Sequence, residues 1–209
     1  EYTTPVAAFV AADAASTFEE ACEGTTHAPS RLIVGTVPFT ERLDAADPDV
    51  DVYASGPDDP AIFLFSGGTT GHPKAVVQTH RSFANTTELY GKGVLGFGPD
   101  DVTLSVPKLY FGYATGTNLF FPFSVVAASL KNNNRCTPET LLQKTEAFRP
   151  TILVNVPTMV NHLVSHESAS VRDLSSLRLA TSAGEALPVE LHRRWDQTFG
   201  APLLDGLGT

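Results

Sequence analysis

The segment from Phe63 to Thr79, FLFSGGTTGHPKAVVQT, constrains the fold of this chain more than any other. Two short apolar, β-prone runs, 61–65 and 75–77, flank a loop of glycines, threonines and a serine, and this order predicts strand, loop, strand. The glycines let the backbone bring its N–H groups close to a ligand, while the hydroxyl groups and Lys74 add donors and a positive charge. The loop therefore predicts an anion site, and a polyphosphate is the anion that suits it.

Two better-known phosphate loops do not fit this segment. The Walker pattern needs glycine and lysine side by side, but His72 and Pro73 separate Gly71 from Lys74. The dinucleotide fingerprint needs a different glycine spacing and a helix after it, where this chain has Ala-Val-Val. A plain hairpin turn without a ligand is the remaining alternative, although such a turn takes roughly two to five residues and needs no lysine. The loop residues predicted to bind this polyphosphate are Ser66, Gly67, Gly68, Thr69, Thr70, Gly71 and Lys74.

Strand-like and helix-like segments alternate after this loop. The pattern predicts strands near residues 101–106, 125–130, 151–154, 177–181 and 202–205, with helices between them. Such alternation predicts an α/β fold in which a mostly parallel sheet is flanked by helices.

The segments before the loop are less regular. Residues 6–20 are rich in alanine, with apolar residues at helical spacing, and predict an amphipathic helix. The acidic, proline-containing stretch 44–60 predicts a surface connector. We therefore expect a partial N-terminal lobe and connector over residues 1–58, and an α/β subdomain that contains the loop over residues 59–209.

Composition narrows the class of protein. The chain has 209 residues, of which 42% are hydrophobic and 18% charged, as in globular proteins. With 14 Lys and Arg against 23 Asp and Glu, the net charge is −9, which argues against nucleic acid and acidic membranes as partners. No apolar run is long enough for a membrane span, and the two cysteines are far apart. We expect a cytoplasmic protein with reduced thiols and no metal ligands of its own, and a chain cut from a longer parent.

Two segments near the end of the chain place glycines and a carboxylate after a predicted strand. They are S-A-G-E-A-L-P at 182–188 and D-G-L-G-T at 205–209. Ligands of parallel sheets bind at the carboxyl ends of the strands, where glycines permit close approach and a carboxylate can accept a hydrogen bond from an amino group. Either segment alone could equally be a helix cap or a loop.

A third segment, V-P-K-L-Y-F-G-Y-A-T-G at 106–116, crowds aromatic and small residues into a strand-to-helix connection. Core packing is one interpretation. Alternatively, Gly112 and Gly116 leave space beside Phe111 and Tyr113 for a flat aromatic ligand.

These motifs together resemble the adenylate-forming superfamily, which comprises acyl- and aryl-CoA ligases, peptide-synthetase adenylation domains and luciferases. S-G-G-T-T-G-x-P-K is similar to the superfamily's phosphate loop, and K-L-Y-F-G-Y-A-T-G, S-A-G-E-A-L-P-V-E-L, L-D-G-L-G and E-L-Y-G-K-G-V-L-G (88–96) are similar to its benzoate-CoA ligase branch. The resemblance runs from about Asp59 to the end. Ala75 departs from the usual glycine, and Phe111 stands where many fatty-acyl relatives have histidine, which disfavours a long aliphatic acid.

The resemblance implies an ATP-dependent ligase that adenylates an aromatic carboxylate and then transfers the acyl group to coenzyme A. It implies ATP, Mg²⁺ and coenzyme A as cofactors, with the Mg²⁺ carboxylate in a Thr-Glu pair beyond Thr209. Because the family's C-terminal domain also lies beyond this chain, we expect the fragment alone to be inactive and to need the remainder of its parent. An adenylation domain that loads a carrier protein and a nucleotide-binding module without turnover remain alternatives.

The resemblance also assigns site residues. Thr70 and Lys74 take catalytic roles at the phosphates. The nucleotide is further assigned to Gly184, Glu185, Ala186, Asp205, Gly206 and Thr209. The aromatic acid is assigned to Phe111, Gly112, Tyr113, Gly184 and Leu207.

Overall fold

The structure, a computed structural model, describes residues 4–27, 29–67, 71, 73–131 and 136–208. The chain divides into two compact units, Glu1–Ser55 and Gly56–Thr209. The division into functional domains at residues 58 and 59 stays a prediction. Within the described residues, no helix combines the length and the apolar character that crossing a bilayer requires.

The first unit contains two parallel strands, each followed by a helix. They are β1 (Ala7–Ala11), α1 (Ala15–Cys22), β2 (Ser30–Val34) and α2 (Val37–Asp44).

The helix predicted over residues 6–20 is wrong in its first half, which is β1. Alanine favours a helix, but Phe9 and Val10 align with Leu32 and Ile33 of the neighbouring strand. This pairing outweighs the local preference of the alanines.

The second unit begins with an antiparallel hairpin of β3 (Pro60–Ser66) and β4 (Lys74–Thr79). This confirms the two neighbouring strands that the sequence predicts around the loop. Thr79 then caps α3 (His80–Thr86): its Oγ1 accepts a hydrogen bond from the Ser82 N–H at 3.2 Å, and the Ser82 Oγ accepts one from the Thr79 N–H at 3.2 Å.

Five parallel strands form the main sheet, in the order β6–β5–β7–β8–β9. They are β5 (Val102–Ser105), β6 (Ala128–Leu130), β7 (Ile152–Asn155), β8 (Leu179–Ala183) and β9 (Leu203–Gly206). The predicted fold class, a mostly parallel sheet flanked by helices, is confirmed. Because all five strands run in one direction, their carboxyl ends lie at a single edge.

Helices cover both faces of this sheet. They are α4 (Gly112–Thr115), α5 (Phe121–Ser124), α6 (Pro138–Phe148), α7 (Pro157–Val164) and α8 (Val189–Phe199). Alternate residues of β7 point to opposite faces: Leu153 belongs to a core with α6, α7 and α8, whereas Ile152 and Val154 belong to a core with Phe97 and Phe121. Both faces of the strand are therefore buried, as is usual in a parallel sheet.

Two π-helical segments, Thr87–Lys92 and Gly116–Phe120, continue α3 and join α4 to α5. The Phe121 ring packs between them. A Cβ atom at Gly91 would come within 2.7 Å of this ring and one at Gly116 within 2.8 Å, so both positions require glycine. The space that the sequence analysis left beside Gly116 for a ligand is occupied by Phe121.

Candidate active site

The two glycine-containing segments predicted to bind nucleotide meet at the carboxyl edge of the sheet. β8 ends at Ala183 and β9 at Gly206, and these two residues are aligned across the strand pair. Gly184 follows with a φ of +97°, a backbone conformation that L side chains rarely adopt. A Cβ atom there would meet nothing within 4 Å, so conformation rather than crowding requires the glycine.

Gly206 lies beside the Tyr90 hydroxyl group. A Cβ atom at Gly206 would stand 3.7 Å from the Tyr90 Oη and 3.5 Å from the Ala183 Cβ, which are ordinary van der Waals distances. Glu185 and Ala186, after Gly184, are exposed. A flat group could therefore pack directly on the backbone at the end of β9.

Three polar residues form a row across the ends of β7, β8 and β9. Asn155 aligns with Ser182, and Ser182 aligns with Asp205, so the three side chains share one face of the sheet. Asn155 and Ser182 are fully buried, and the Asn155 Nδ2 and the Ser182 Oγ have no hydrogen-bond partner among the described residues. The exposed Asp205 accepts one hydrogen bond, from the Leu187 N–H to its Oδ2 at 3.4 Å. Since a carboxylate offers about four acceptor sites, Asp205 can accept further hydrogen bonds from an amino group.

Tyr113 lies over the opposite face of β8. Its hydroxyl group shares a hydrogen bond with the Thr181 Oγ1. Burial raises the pKa of the Tyr113 phenol, and the nearby Tyr90 and Asp205 raise it further, against the opposing effect of the hydrogen bonds. The phenol therefore stays protonated and uncharged.

Three other residues assigned to the acid pocket pack elsewhere or are exposed. A Cβ atom at Gly112 would stand 2.8 Å from the Leu64 Cδ1, so the side of Gly112 is filled by the hairpin rather than left empty. Phe111 is 53% exposed and its ring packs on Tyr110, with centroids 4.5 Å apart. Leu207 is 99% exposed. The two glycines predicted to leave space for a ring thus serve close packing within the protein.

The hairpin directs the base of the phosphate loop toward this region. Ser66 and Lys74 are aligned across β3 and β4, and they share the hairpin face of Leu64, two residues earlier on the same strand. Leu64 contacts Gly112 at the start of α4, so the exposed Lys74 side chain projects from the face that turns toward α4. Gly71 has a φ of +84°, as a tight loop requires. Gly68, Thr69 and Thr70, together with Thr209, lie outside the described residues.

Sequence reasoning did not identify three residues of this region, Tyr90, Asn155 and Thr181. Asn155 and Thr181 could have been found as polar residues at the carboxyl ends of otherwise apolar strands. Tyr90 belongs to the segment 88–96 that resembles the benzoate-CoA ligase branch, but its place beside Gly206 depends on a contact between residues more than a hundred positions apart.

The described side chains supply no group of three or more His, Cys, Asp or Glu residues that could hold a metal ion. The donors and acceptors at the base of the hairpin loop and at the carboxyl ends of β8 and β9 are groups that can bind a nucleotide. They comprise a lysine and a hydroxyl group, a glycine with positive φ, and an exposed carboxylate.

Comparison with known proteins identifies the family of this chain. The model of the AMP-binding enzyme family matches residues 3–209. The chain belongs to this family. The resemblance to adenylate-forming enzymes is thereby confirmed.

The relatives of this family member include aryl-CoA ligases. Benzoate–CoA ligase of Thauera aromatica is 38% identical over 153 residues, which are 73% of this chain and 29% of the relative. Among solved structures, the anthranilate CoA ligase AuaEII in complex with anthranoyl-AMP superposes with a TM-score of 0.87 at 30% identity, over 98% of this chain and 40% of the other. A benzoate CoA ligase from Burkholderia xenovorans LB400 superposes with a TM-score of 0.82 at 33% identity, over 98% and 41%. The chain thus spans between about three and four tenths of these proteins, and its likeness to the benzoate-CoA ligase branch is confirmed.

Proposed function

We propose that these residues belong to a longer enzyme that adenylates an aromatic carboxylic acid with ATP and passes the acyl group to coenzyme A. One observation carries this proposal: the aligned Ser66 and Lys74 project from the hairpin face that turns toward α4, and Tyr113 of α4 is hydrogen-bonded to Thr181 of β8, the strand that pairs with β9. A phosphate loop and a carboxylate-bearing sheet edge on one side of the fold are what an adenylating site needs. The aryl acids named for the relatives support the choice of acid.

In this proposal the acid's carboxylate attacks the α-phosphorus of ATP, and pyrophosphate leaves as the acyl-AMP forms. A thiol then displaces AMP. Catalysis consists of positioning the reactants and stabilising charge, without a covalent enzyme intermediate. Ser66 to Gly71 and Lys74 hold the β- and γ-phosphates, and Thr70 and Lys74 stabilise the negative charge that develops.

The base of the nucleotide is assigned to the sheet edge. Gly184, Glu185, Ala186 and Gly206 surround the adenine, and Asp205 accepts a hydrogen bond from its amino group. The row position of Asp205 and its single hydrogen bond support this assignment. Thr209 completes the assigned set. No step is assigned to Mg²⁺, since the described residues supply no carboxylate cluster for it.

The aromatic acid is assigned to the neighbourhood of Tyr113. The ring of the acid lies against Tyr113. The remaining wall of this pocket, complete only in the longer enzyme, is formed by the backbones of Gly112 and Gly184 and the side chains of Phe111 and Leu207. A phenol that stays uncharged suits an apolar ring better than an ionised one. The protein is proposed to act in the cytoplasm, without nucleic acid or membrane as a partner, and residues 59–209 are proposed as the nucleotide- and acid-binding subdomain.

The test is ATP–pyrophosphate exchange by the longer protein with benzoate, a hydroxybenzoate, octanoate and an amino acid. We expect exchange with the two aromatic acids to exceed that with octanoate at least tenfold. Adding coenzyme A should then yield the aryl thioester, whereas a carrier-loading enzyme would accept only its carrier protein. Exchange that prefers octanoate or the amino acid would refute the assignment to aryl acids, and nucleotide binding without any exchange would leave a binding module.

A matched assay with residues 1–209 compares the activity of this chain with that of the longer protein. We expect this chain alone to make no thioester from ATP, coenzyme A and benzoate. Thioester formation by the fragment would contradict the assignment of essential groups to the remainder of the parent.

A further inference from the structure

A cavity of about 410 Å³ lies beside the carboxyl ends of β5 and β6. In the strand order, β7 separates these two strands from β8 and β9. Its lining includes Lys108, Leu109, Tyr110, Asn118, Leu130 and Lys131. Lys108 to Tyr110 follow β5, Lys131 follows β6, and Asn118 belongs to the π-helical segment between α4 and α5. None of the residues assigned to the nucleotide or to the aromatic acid lines this cavity.

Asn118 is the polar group that marks the cavity as a candidate binding site. It is 4% exposed, and its carboxamide oxygen has no hydrogen-bond partner among the described residues. A buried polar atom without a partner costs about 1–3 kcal/mol, so a side chain of this kind at a cavity points to a hydrogen-bonding ligand. The carboxamide can both donate and accept, and its nitrogen and oxygen ends are interchangeable by rotation.

The remaining lining defines the rest of the ligand. In a chain of net charge −9, two lysines at one cavity form a local positive site that favours an anion. Leu130 and the exposed side chains of Leu109 and Tyr110 add apolar surface that suits the body of an organic molecule rather than a bare inorganic ion.

We propose that this cavity binds an aromatic carboxylate bearing a hydroxyl or amino group, at a second site outside the adenylation site. The carboxylate lies toward Lys108 and Lys131, the ring packs on Leu109 and Tyr110, and the hydroxyl or amino group bonds to the Asn118 carboxamide. The choice of an aromatic acid rests on the proposed function, whereas the anionic, hydrogen-bonding character of the ligand rests on the cavity alone.

The probes are 4-hydroxybenzoate, benzoate and methyl 4-hydroxybenzoate, titrated up to about 10 mM into the 209-residue chain without ATP and followed by amide NMR shifts. We expect 4-hydroxybenzoate to shift the amides of Leu109, Tyr110 and Lys131. Benzoate should bind about 3–10-fold more weakly, since it lacks the hydrogen bond to Asn118. The ester should bind at least about fivefold more weakly, since it lacks the charge. These comparisons of ligands require no variant.

Variants then locate the site. Lys131→Ala alters an exposed residue and should weaken binding of 4-hydroxybenzoate about fivefold or more, whereas the matched Lys92→Ala, which removes a lysine paired with Glu88, should not. Asn118→Leu should abolish the preference for 4-hydroxybenzoate over benzoate. If this buried substitution prevents folding, Lys131→Ala and the ester still decide the question.

The outcomes separate this inference from the proposed function. Shifts centred on Tyr113, Thr181 and Gly206 and insensitive to Lys131→Ala would place the acid in the adenylation site and overturn the second site. Shifts at the cavity, in a protein whose longer form exchanges no pyrophosphate with aryl acids, would keep the second site and overturn the proposed function. The absence of shifts at the cavity up to the highest concentration would also overturn the second site.

Discussion

Tyr113 connects two helices and two strands at the candidate site through one hydroxyl group. The Tyr113 side chain extends from α4 to Thr181 on β8. Its hydroxyl group also lies near the backbone of Asn155 on β7 and near Tyr90 in the segment that continues α3. A buried phenol held in this way resists ionisation, because the phenolate would lose hydration without gaining a positive neighbour. Its fixed, neutral ring is a suitable surface for an apolar ligand.

The raised pKa of Tyr113 predicts how stability depends on alkaline pH. Above pH of about 10 the unfolded chain loses the phenolic proton while the folded chain keeps it, so the free energy of unfolding should fall as the pH rises further. Tyr113→Phe should weaken this dependence and cost about 0.5–1.5 kcal/mol at neutral pH through loss of the bond to Thr181. Urea denaturation at several pH values measures both, with Tyr53→Phe, at an 83% exposed position, as the control. Equal effects of the two substitutions would contradict the buried hydrogen bond.

Substitution of Lys74 is the most direct test of the proposed adenylation chemistry. Lys74→Ala in the longer protein removes a charge that matters more as pyrophosphate departs than in the ground state. We expect adenylation to slow about 10–1000-fold, as when one preorganised donor is removed. Pyrophosphate exchange measures this loss, and Lys92→Ala serves as the control. An unchanged exchange rate would mean that the loop is structural.

At the scale of elements, the parts of the fold that sequence predicted well are those with local signals. The hairpin follows from two β-prone runs. Helices α3 and α6 also begin at a local signal, since Thr79 and Thr137 each form a capping box. Strand and helix alternation was sufficient to predict the parallel sheet. The strand order, with β5 between β6 and β7, had no signal in the sequence because it depends on long-range pairing.

The parts that sequence missed depend on contacts that the composition of a segment does not show. β1 was predicted as a helix because its alignment with β2 is invisible in its own composition. Gly116 was interpreted as space for a ligand, yet the Phe121 ring occupies that space. The candidate site shows the same division: the phosphate loop and the strand-end segments were identified from motifs, whereas the Tyr113–Thr181 contact joins residues 68 positions apart.

The capping box of α3 predicts a local cost for losing Thr79. Thr79→Ala removes the acceptor for the Ser82 N–H just after the phosphate loop, and we expect a loss of about 1 kcal/mol in the free energy of unfolding. Chemical denaturation measures it. Thr86→Ala is the matched control, because the Thr86 hydroxyl group bonds only to the Ser82 carbonyl within the same helix. If both variants lose the same stability, the cap contributes nothing specific.

At the scale of the whole molecule, one buried carboxylate joins distant parts of the second unit at the edge opposite the site. Asp101 accepts hydrogen bonds from the Arg178 Nε at 2.8 Å, from the Arg178 Nη2 at 2.7 Å and from the Thr151 Oγ1 at 2.6 Å. Arg178 also donates to the Leu95 and Gly96 carbonyl groups. Burial by itself raises the pKa of Asp101, but the hydrogen bonds from Arg178, Thr151 and the Gly98 N–H lower it more.

The lowered pKa predicts an acid-sensitive contribution to stability. It is present above the unfolded pKa of about 4 and is lost as the pH falls toward the lower pKa of the folded state. Asp101→Asn should destabilise the chain by about 2–4 kcal/mol at pH 7, because it leaves Arg178 without its carboxylate partner. Denaturation should show this loss shrinking below pH of about 4, and the neighbouring Asp100→Asn, at an exposed position, should have little effect. A loss that does not change with pH would rule out the ion pair as its cause.

The row of Asn155, Ser182 and Asp205 implies a compromise between heat resistance and function. The Ser182 hydroxyl group is fully buried and has no hydrogen-bond partner within the described part of the chain, so removing it should relieve a desolvation cost. We expect Ser182→Ala to raise the melting temperature by about 2–4 °C for each kcal/mol gained in a chain of this length. Calorimetry measures the gain, and Ser165→Ala is the control, because the exposed Ser165 hydroxyl group accepts a hydrogen bond from the Arg194 Nη2 and its removal should bring no gain. A chain that keeps this serine therefore accepts a lower thermal tolerance in the strand that leads into its proposed nucleotide site.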